Sequence, residues 1–424
     1  MLRPLTRVDY RTLSLAALGG ALEFYDFVIY VFLAPVIGQL FFPRDMPDWL
    51  RLMQTFGIFS AGYLARPLGG IVIAHFGDRL GRKRMFALSI FLMAVPTLAI
   101  GLLPTYASIG IAAPLLLLFM RIMQGVAIGG EVPGAWVFIA EHVPEQHFGF
   151  GIGTLTAGLT TGILLGSLMA GLINNLYTAA EVAAFAWRIP FIAGGVFAFV
   201  SVYLRRFLAE TPVFQEMKSR RLLASEVPIK TVLRDHRPAT LMALGLTWVL
   251  TAAIVVVILF TPAYLQQVFH VPAHVALQAN TGATIAFLIG CLVFGWASDR
   301  FGTRAAMIAG FAGLLASSYV FYSSLPDAPA ILNRTYAAAG FFVGSVTTVP
   351  IVALRSFPAA VRFTGLSFSY NVSYAIFGGL TPIVLSYWLR TEPMAPAYYV
   401  GGLALLGIVL ALVPMRPPAS SVAS

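Results

Sequence analysis

Charge is scarce in this sequence. Only 10% of its 424 residues are Asp, Glu, Lys or Arg, whereas 59% are hydrophobic. A water-soluble protein could not hide so much apolar side chain behind so few charged groups. The scarcity therefore excludes a soluble globular domain and indicates an integral membrane protein.

Cysteine and histidine are scarce as well. The one cysteine, Cys291, falls within an apolar run and has no partner for an intrachain disulfide or a metal site. The six histidines include no group with metal-ligand spacing, and none lies deep enough in an apolar run to act as the base of an intramembrane hydrolase. We therefore expect no metal, no cofactor and no enzymatic activity.

Long apolar runs are what the chain has in abundance. Twelve of them approach the roughly 20 residues that a helix needs to cross a hydrocarbon core of about 30 Å. The sequence predicts an all-α membrane protein that crosses the bilayer twelve times. The predicted spans are 14–41, 52–76, 85–103, 112–140, 150–176, 187–208, 239–268, 280–298, 304–324, 334–355, 364–389 and 396–414.

Positive charge is distributed unevenly between the two ends of the predicted helices. If the N-terminus lies inside, five Lys and Arg residues fall outside and two fall in the membrane, which leaves 20 of the 27 on the cytoplasmic side. Such a bias is typical of a chain with both termini in the cytoplasm. The net charge of +10 is thus explained by topology, and we expect no nucleic-acid partner.

One long polar interval, residues 209–238, interrupts the apolar pattern. It separates six predicted helices in residues 1–208 from six in residues 239–424, so we interpret it as a cytoplasmic linker between two bundles. Loop motifs repeat at equivalent places in the two halves, and a repeat of this kind indicates pseudo-symmetric bundles with a substrate site between them. The repeats pair GDRLGRKR (77–84) with SDRFGTR (298–304), and EHVPEQHFG (141–149) with RSFPAAVRFTG (355–365).

The repeated Asp-Arg loop predicts a gate on the cytoplasmic side. Asp78 and Asp299 each lie near a predicted helix end, where they can pair with nearby arginines. Salt bridges of this kind would form when the two halves close on the inside and break when they open. The arginines are Arg79 and Arg82 in the first half and Arg300 and Arg304 in the second.

Six further motifs lie in or beside the predicted helices. They are EFYDF (23–27), RPLGG (66–70), RIMQGVAIGGE (121–131), WRIPF (187–191), ETPVF (210–214) and FPAAVR (357–362). Together with the repeated loop and the six-plus-six arrangement, these motifs resemble the major facilitator superfamily, and in particular its metabolite:proton symporter subfamily. The resemblance runs through nearly the whole chain.

This resemblance implies the twelve-helix fold of the superfamily and secondary active transport by alternating access. Members of the subfamily import organic acids such as citrate, 2-oxoglutarate and shikimate, or zwitterions such as proline and betaine, with protons across the bacterial inner membrane. Residues 380–399 resemble the proline/betaine branch, whereas Arg355 stands where the resemblance leads us to expect an acidic or neutral residue. We accordingly expect a multi-pass, monomeric protein of the bacterial inner membrane.

Five ionisable residues lie within the predicted helices of the first half, where charge is costly and usually functional. A rise of 1.5 Å per residue places all of them roughly 14–18 Å from one end of their helix. Because they share a similar depth, we expect a network in which Glu23 faces Arg66 and Asp26 faces Arg121. The full set is Glu23, Asp26, Arg66, Arg121 and Glu131.

Three carboxylates against two guanidiniums leave one acid without a countercharge. Such an acid can bind and release a proton in each transport cycle, whereas a guanidinium has the forked donors that suit a substrate carboxylate. We predict Asp26 as the main proton-coupling acid, with Glu23 and Glu131 as further candidates. Arg121 is predicted to anchor the substrate, and Arg66 to belong to a more static pair. The alternative is that the whole network is structural and holds the helices together.

Neutral polar and aromatic residues complete the predicted substrate site. A site with one charged pole and one polar-aromatic pole suits a small mono- or dicarboxylate that enters with protons. Two alternatives stay open: symport of a zwitterion such as proline or betaine, whose cation can lie against the aromatic pole, and a drug or metabolite antiporter. The predicted residues are Tyr25, Tyr30 and Gln124 in the first half and Trp248, Tyr264, Asn371 and Tyr374 in the second.

Overall fold

A computed structural model of the chain consists of helices joined by short loops. It describes residues 6–80, 82–129, 131–205, 228–325, 331–358 and 361–413. Within these ranges some helical residues are described by their backbone only. They include Glu23, Glu131 and residues 70–80 and 82–91.

Each of the twelve predicted spans coincides with a helix, because the apolar runs satisfy their backbone hydrogen bonds internally. The first six are α1 (Arg7–Phe32, continued after a bend by Ala34–Phe41), α2 (Asp48–Leu80), α3 (Arg82–Leu102), α4 (Ala112–Ile128 and Glu131–His142), α5 (Phe148–Leu176) and α6 (Arg188–Arg205). The second six are α7 (Arg237–Ala252, Ala253–Phe260 and Thr261–Val268), α8 (Ala273–Phe301), α9 (Thr303–Ser324), α10 (Leu332–Val343, Gly344–Thr347 and Thr348–Ser356), α11 (Arg362–Ser373, Tyr374–Gly378 and Gly379–Trp388) and α12 (Ala395–Leu412).

Length and hydropathy support membrane insertion of these helices. Among the described residues, eight helices are long and apolar enough to cross a bilayer, and ten if each of two bent pairs counts as one span. The predicted all-α class and twelve-helix architecture are confirmed, and the chain is a multi-pass membrane protein. The cytoplasmic position of both termini stays a prediction.

Helices α1, α7 and α11, which border the centre, each contain a departure from regular α geometry. Helix α1 bends by 60° where Ala34 begins its second segment. Pro35 explains the bend, because its ring removes a backbone donor and clashes with the carbonyl one turn earlier. Helices α7 and α11 contain π-helical turns at Ala253–Phe260 and Tyr374–Gly378, a feature often found at functional sites.

Glycines allow α2 and α4 to lie backbone against backbone. A Cβ added to Gly125 would lie 1.9 Å from the carbonyl oxygen of Gly62, and one added to Gly69 would lie 2.0 Å from that of Val126. Small residues at helix crossings permit this approach inside a membrane. The contact matters for function because Arg66 lies on α2 and Arg121 lies on α4.

Helices α5 and α8 form the longest interface between the two predicted halves. At one end Asp299 accepts a hydrogen bond from the Gly149 N–H at 2.7 Å, and at the other Ser167 Oγ lies 3.0 Å from Thr281 Oγ1. Between them, a Cβ added to Gly153 would lie 2.7 Å from the Cys291 carbonyl oxygen. The interface is therefore closed along the length of both helices.

Helices α2 and α11 form a second interface between the halves. Ser60 donates a hydrogen bond to the Gly379 carbonyl, and the rings of Tyr63 and Tyr374 lie 5.4 Å apart. With the α5–α8 and α2–α11 interfaces both closed, the centre between the halves is occluded, and Asp26 and Arg121 there have no solvent exposure.

The division into 1–208, 209–238 and 239–424 stays a prediction. Of the linker, the structure describes only the helix Pro228–Asp235 and the residues that follow it.

The glycine contact between α2 and α4 can be tested by adding one methyl group. We expect Gly125→Ala to destabilise the protein by about 1–3 kcal/mol, since the new Cβ overlaps the Gly62 carbonyl in a tightly packed crossing. Thermal unfolding of the detergent-purified protein measures the change. Gly57→Ala, on α2 with no atom within 4 Å of its added Cβ, is the control, and an equal effect of both substitutions would contradict the proposed crossing.

Candidate substrate site

The guanidinium of Arg121 lies at the centre of the occluded bundle. It has no solvent exposure, and its Nη1 donates to Gln124 Oε1 at 2.8 Å and to the Phe27 carbonyl at 3.4 Å. Nε and Nη2 have no hydrogen-bond partner among the described residues. These two nitrogens form one edge of the guanidinium, the geometry that binds a carboxylate through two parallel hydrogen bonds. The site thus presents an unused carboxylate-binding edge.

Aromatic rings surround the same guanidinium. Its central carbon lies 4.4 Å from the ring centre of Phe27, 4.6 Å from that of Tyr30 and 5.2 Å from that of Phe59. The Tyr30 hydroxyl donates to the Thr55 carbonyl at 3.0 Å, which fixes its ring. Ring faces attract a buried cation and partly replace the water that it has lost. The predicted neighbours Tyr30 and Gln124 therefore do contact Arg121.

Asp26 lies beside α3 and α6. It has no solvent exposure, and neither carboxylate oxygen has a hydrogen-bond partner among the described residues. A Cβ added to Gly194 of α6 would lie 2.5 Å from Asp26 Oδ1 and 3.1 Å from the methyl group of Thr97. Asp26 thus occupies a niche that only a glycine at position 194 leaves open.

The predicted ion pair between Asp26 and Arg121 is absent from the described residues, where the only salt bridges join Arg51 to Asp48 and Arg234 to Asp235. Depth along a helix predicts the level of a residue but not the direction of its side chain. Adjacent residues point about 100° apart, so Asp26 faces away when Phe27 faces Arg121.

A short hydrogen-bonded chain runs from Arg121 toward the niche of Asp26 but does not reach its carboxylate among the described residues. Gln124, which accepts from Arg121, donates through Nε2 to Thr97 Oγ1 at 2.7 Å, and Thr97 donates to the Met93 carbonyl at 2.9 Å. Thr97 also lines the niche of Asp26. Thr97 therefore lies between the buried acid and the arginine, a role that the sequence did not suggest.

Arg66 is the second buried guanidinium, with 3% of its surface exposed. Four ring centres lie 5.1 to 5.8 Å from its central carbon, and they come from both halves of the chain. Its Nε has no partner among the described residues. The predicted partner Glu23 and the third acid, Glu131, have side chains outside the described part of the structure. The four rings are Phe27, Tyr63, Tyr370 and Tyr374.

The remaining predicted residues divide into two groups. Asn371 lies at the contact between α4 and α11, where it donates to the Gly129 carbonyl, and Tyr374 lies against Arg66. The other three hold helices together: the Tyr25 hydroxyl donates to Pro190, Trp248 donates to Tyr399, and Tyr264 donates to Pro393. No described contact joins these three side chains to either buried arginine. The polar atom of each side chain instead forms a hydrogen bond with another part of the protein.

Sequence reasoning missed four aromatic residues that contact the arginines. Phe27 follows Glu23 by four residues, Tyr63 precedes Arg66 by three and Tyr370 precedes Tyr374 by four. Helical spacing from the predicted site residues could therefore have identified them. Phe59 carries no such signal. It is one apolar residue among many on α2, and only its 5.2 Å approach to Arg121 distinguishes it.

The sequence model of the Major Facilitator Superfamily matches residues 16–382. The chain belongs to the major facilitator superfamily. It is 32% identical to a putative proline/betaine transporter of Staphylococcus aureus (strain COL), over 94% of this chain and 87% of the relative. It is also 32% identical to the proline/betaine transporter of Escherichia coli (strain K12), over 96% of this chain and 84% of the relative.

Solved structures agree on the fold of this superfamily member. A crystal structure of a D-xylose–proton symporter superposes with a TM-score of 0.74 and 18% identity, covering 97% of this chain and 99% of the other. A partially occluded inward-open structure of the xylose transporter XylE from E. coli has a TM-score of 0.75 and 16% identity, with 96% and 98% covered. The chain is a membrane transporter and not an enzyme.

The predicted gate of this transporter takes a different form from the one expected. Asp299 accepts hydrogen bonds from the backbone N–H groups of Gly149 and Phe150, at 2.7 and 2.8 Å. It thereby caps the start of α5 across the interface between the halves, where free N–H groups favour a negative charge. Arg304 instead donates to the Leu412 carbonyl at 2.9 Å, and Arg300 is exposed.

The expected pairing of Asp299 with Arg300 or Arg304 is therefore wrong for the described residues. Two aligned backbone donors at a helix start offer both carboxylate oxygens a partner, which an exposed arginine in water does not match. The side chains of Asp78, Arg79 and Arg82 lie outside the described part of the chain.

The capping contact predicts that Asp299 holds the α5–α8 interface closed. We expect Asp299→Ala to raise the alkylation rate of Cys291 several-fold, because Cys291 is buried at this interface with its Sγ 3.9 Å from Thr160 Oγ1. A membrane-permeant maleimide measures the rate on the sole thiol of the chain. Arg300→Ala is the control. If it accelerates alkylation as much as Asp299→Ala, a salt bridge rather than the helix cap closes the gate.

Proposed function

We propose that this transporter imports a small zwitterion together with protons, by alternating access across the bacterial inner membrane. The observation that carries the proposal is the unpaired edge of Arg121, buried among aromatic rings. One part of the site suits a carboxylate and the adjoining part suits a cation. A substrate that carries both charges at a short distance matches this arrangement.

The carboxylate is proposed to bind Nε and Nη2 of Arg121. Both donors are buried without a partner among the described residues, a state that costs free energy until an acceptor arrives. Nη1 is held by Gln124, so the guanidinium is oriented before the substrate binds. Orientation in advance reduces the entropy lost on binding.

The cationic group is proposed to lie against the aromatic wall that runs from Arg121 toward Arg66. Phe59 and Tyr63 have ring centres 4.8 Å apart, and Tyr374 continues the wall 5.4 Å from Tyr63. Ring faces attract quaternary ammonium groups, although such a cation has no N–H to donate in a hydrogen bond. The wall includes residues of both halves, so a bound cation would favour the closed arrangement.

The relatives support this zwitterion alternative better than the small organic acid that the sequence led us to expect. The proteins of S. aureus and E. coli bear the name proline/betaine transporter, and a 32% identical relative from Dickeya dadantii is named a glycine betaine/proline/ectoine/pipecolic acid transporter. Each of these compounds combines a carboxylate with a cationic nitrogen. These names include no organic acid that lacks a cationic nitrogen and no exported drug.

Proton coupling is proposed to depend on Asp26. A carboxylate without water or a partner is costly inside a protein, and binding a proton removes that cost. A change in the charge of Asp26 is proposed to act on the substrate site through packing against Thr97, whose methyl group borders the niche and whose hydroxyl accepts from Gln124, the partner of Arg121. No other cofactor is proposed, since the proton gradient supplies the energy.

Replacement of Arg121 tests the carboxylate site. We expect Arg121→Lys to weaken binding of glycine betaine and proline roughly tenfold to a hundredfold, because a lysine cannot form two parallel hydrogen bonds. Counterflow in proteoliposomes against glycine betaine, proline and succinate measures affinity and substrate class. Arg334→Lys, an exposed arginine on α10, is the control. Unchanged affinity would assign Arg121 a structural role, and preference for succinate would contradict the zwitterion.

Replacement of Asp26 tests proton coupling separately from binding. We expect Asp26→Asn to retain counterflow but to lose accumulation driven by a proton gradient, because the amide cannot release a proton. A zwitterion has no net charge, so its symport with protons moves positive charge inward. An inside-negative membrane potential should therefore increase accumulation by the wild type but not by Asp26→Asn. The exposed Asp45→Asn is the control. If Asp26→Asn still concentrates substrate, another acid couples transport.

A further inference from the structure

A cavity of about 240 Å³ lies at the predicted cytoplasmic end of the bundle, far along α4 from Arg121. Its walls come from both halves. Val143 and Glu145 belong to the segment that joins α4 to α5, and Phe148 begins α5. Arg355 lies at the end of α10 and Arg362 at the start of α11. A cavity of this size has room for a small hydrated anion such as phosphate.

The two arginines of this cavity have few bonding partners. Arg355 donates to Thr303 Oγ1 at 3.3 Å, and Arg362 donates to the Phe357 carbonyl at 3.4 Å. Neither forms a salt bridge with a described residue. Each guanidinium carries five N–H donors, so most of those that face the cavity remain available to an anion.

The charge of the cavity favours an anion despite one opposing group. Glu145 lines the same cavity and weakens its positive potential, whereas Arg355 and Arg362 contribute two positive charges. Asp299 lies outside this lining and directs its carboxylate oxygens to the backbone N–H groups of α5. Counting only the described residues that line the cavity, the balance is one positive charge, and a concave site strengthens its attraction for a small multivalent anion.

We infer that this cavity binds a phosphate group, supplied by free phosphate or by an anionic lipid headgroup, and that binding holds the cytoplasmic side closed. Arg355 already spans the interface, with its guanidinium carbon 4.9 Å from the ring centre of Phe148. When the halves separate on the inside, the two walls part and the site ceases to exist. A ligand that binds only the closed arrangement shifts the equilibrium toward it and slows inward opening.

The inference is tested with the full chain in nanodiscs. In the first arm the lipid is phosphatidylcholine and sodium phosphate is compared with sodium chloride at equal ionic strength. In the second arm phosphatidylglycerol replaces part of the phosphatidylcholine and no phosphate is added. Thermal unfolding and the alkylation rate of Cys291 are measured in both. We expect at least one source to raise the unfolding temperature saturably and to slow alkylation, which identifies that source.

Matched variants make the test specific to this cavity. The double variant Arg355→Gln/Arg362→Gln should lose both responses, whereas Arg334→Gln, which removes an arginine from the opposite end of α10, should keep them. Glu145→Gln should bind the anion roughly two- to fivefold more tightly, because it removes an exposed like charge. Equal responses in the wild type and the double variant, or no response in either arm, would overturn the inference.

Discussion

Two guanidinium groups buried in the membrane-spanning region constrain the structure around them. Arg66 and Arg121 have almost no access to water, so the fold must replace the hydration of their guanidinium groups. It does so mainly with ring faces, each worth about 0.5–2 kcal/mol to a cation, and with one side-chain amide. The ring of Phe27 lies within reach of both cations, so the packing of α1 depends on where α2 and α4 place their arginines.

Close helix contact makes this arrangement rigid in one half and adjustable in the other. Gly62 and Gly125 bring α2 and α4 together without side chains between them, which fixes the distance between the arginines. Tyr370 and Tyr374 approach Arg66 from α11, across an interface that must open during transport. The environment of Arg66 therefore changes with each cycle, whereas the contacts of Arg121 lie within the first six helices. Such a division suits a fixed substrate anchor and a movable wall.

Spacing along the chain predicted one level in the membrane for Asp26, Arg66 and Arg121, which stays a prediction, and all three residues are buried. It did not reveal that Asp26 faces Gly194 and Thr97, because the partner of a side chain depends on the rotation of each helix about its axis. The sequence likewise did not reveal the directions of Trp248 and Tyr264, which were both predicted to line the substrate site. Trp248 instead donates to the Tyr399 hydroxyl, and Tyr264 donates to the Pro393 carbonyl.

The sequence by itself determined that this protein is a twelve-helix membrane transporter, because runs of apolar residues admit few other structures in lipid and the rare charges within them stand out. The sequence motifs shared with the superfamily also indicated the class of function, which is membrane transport. Only the tertiary structure decided which edge of Arg121 is left unpaired, which rings enclose Arg66, and that Asp299 caps α5 instead of binding an arginine. These features arise where helices distant in sequence meet, and the angle and rotation of that meeting are set by packing.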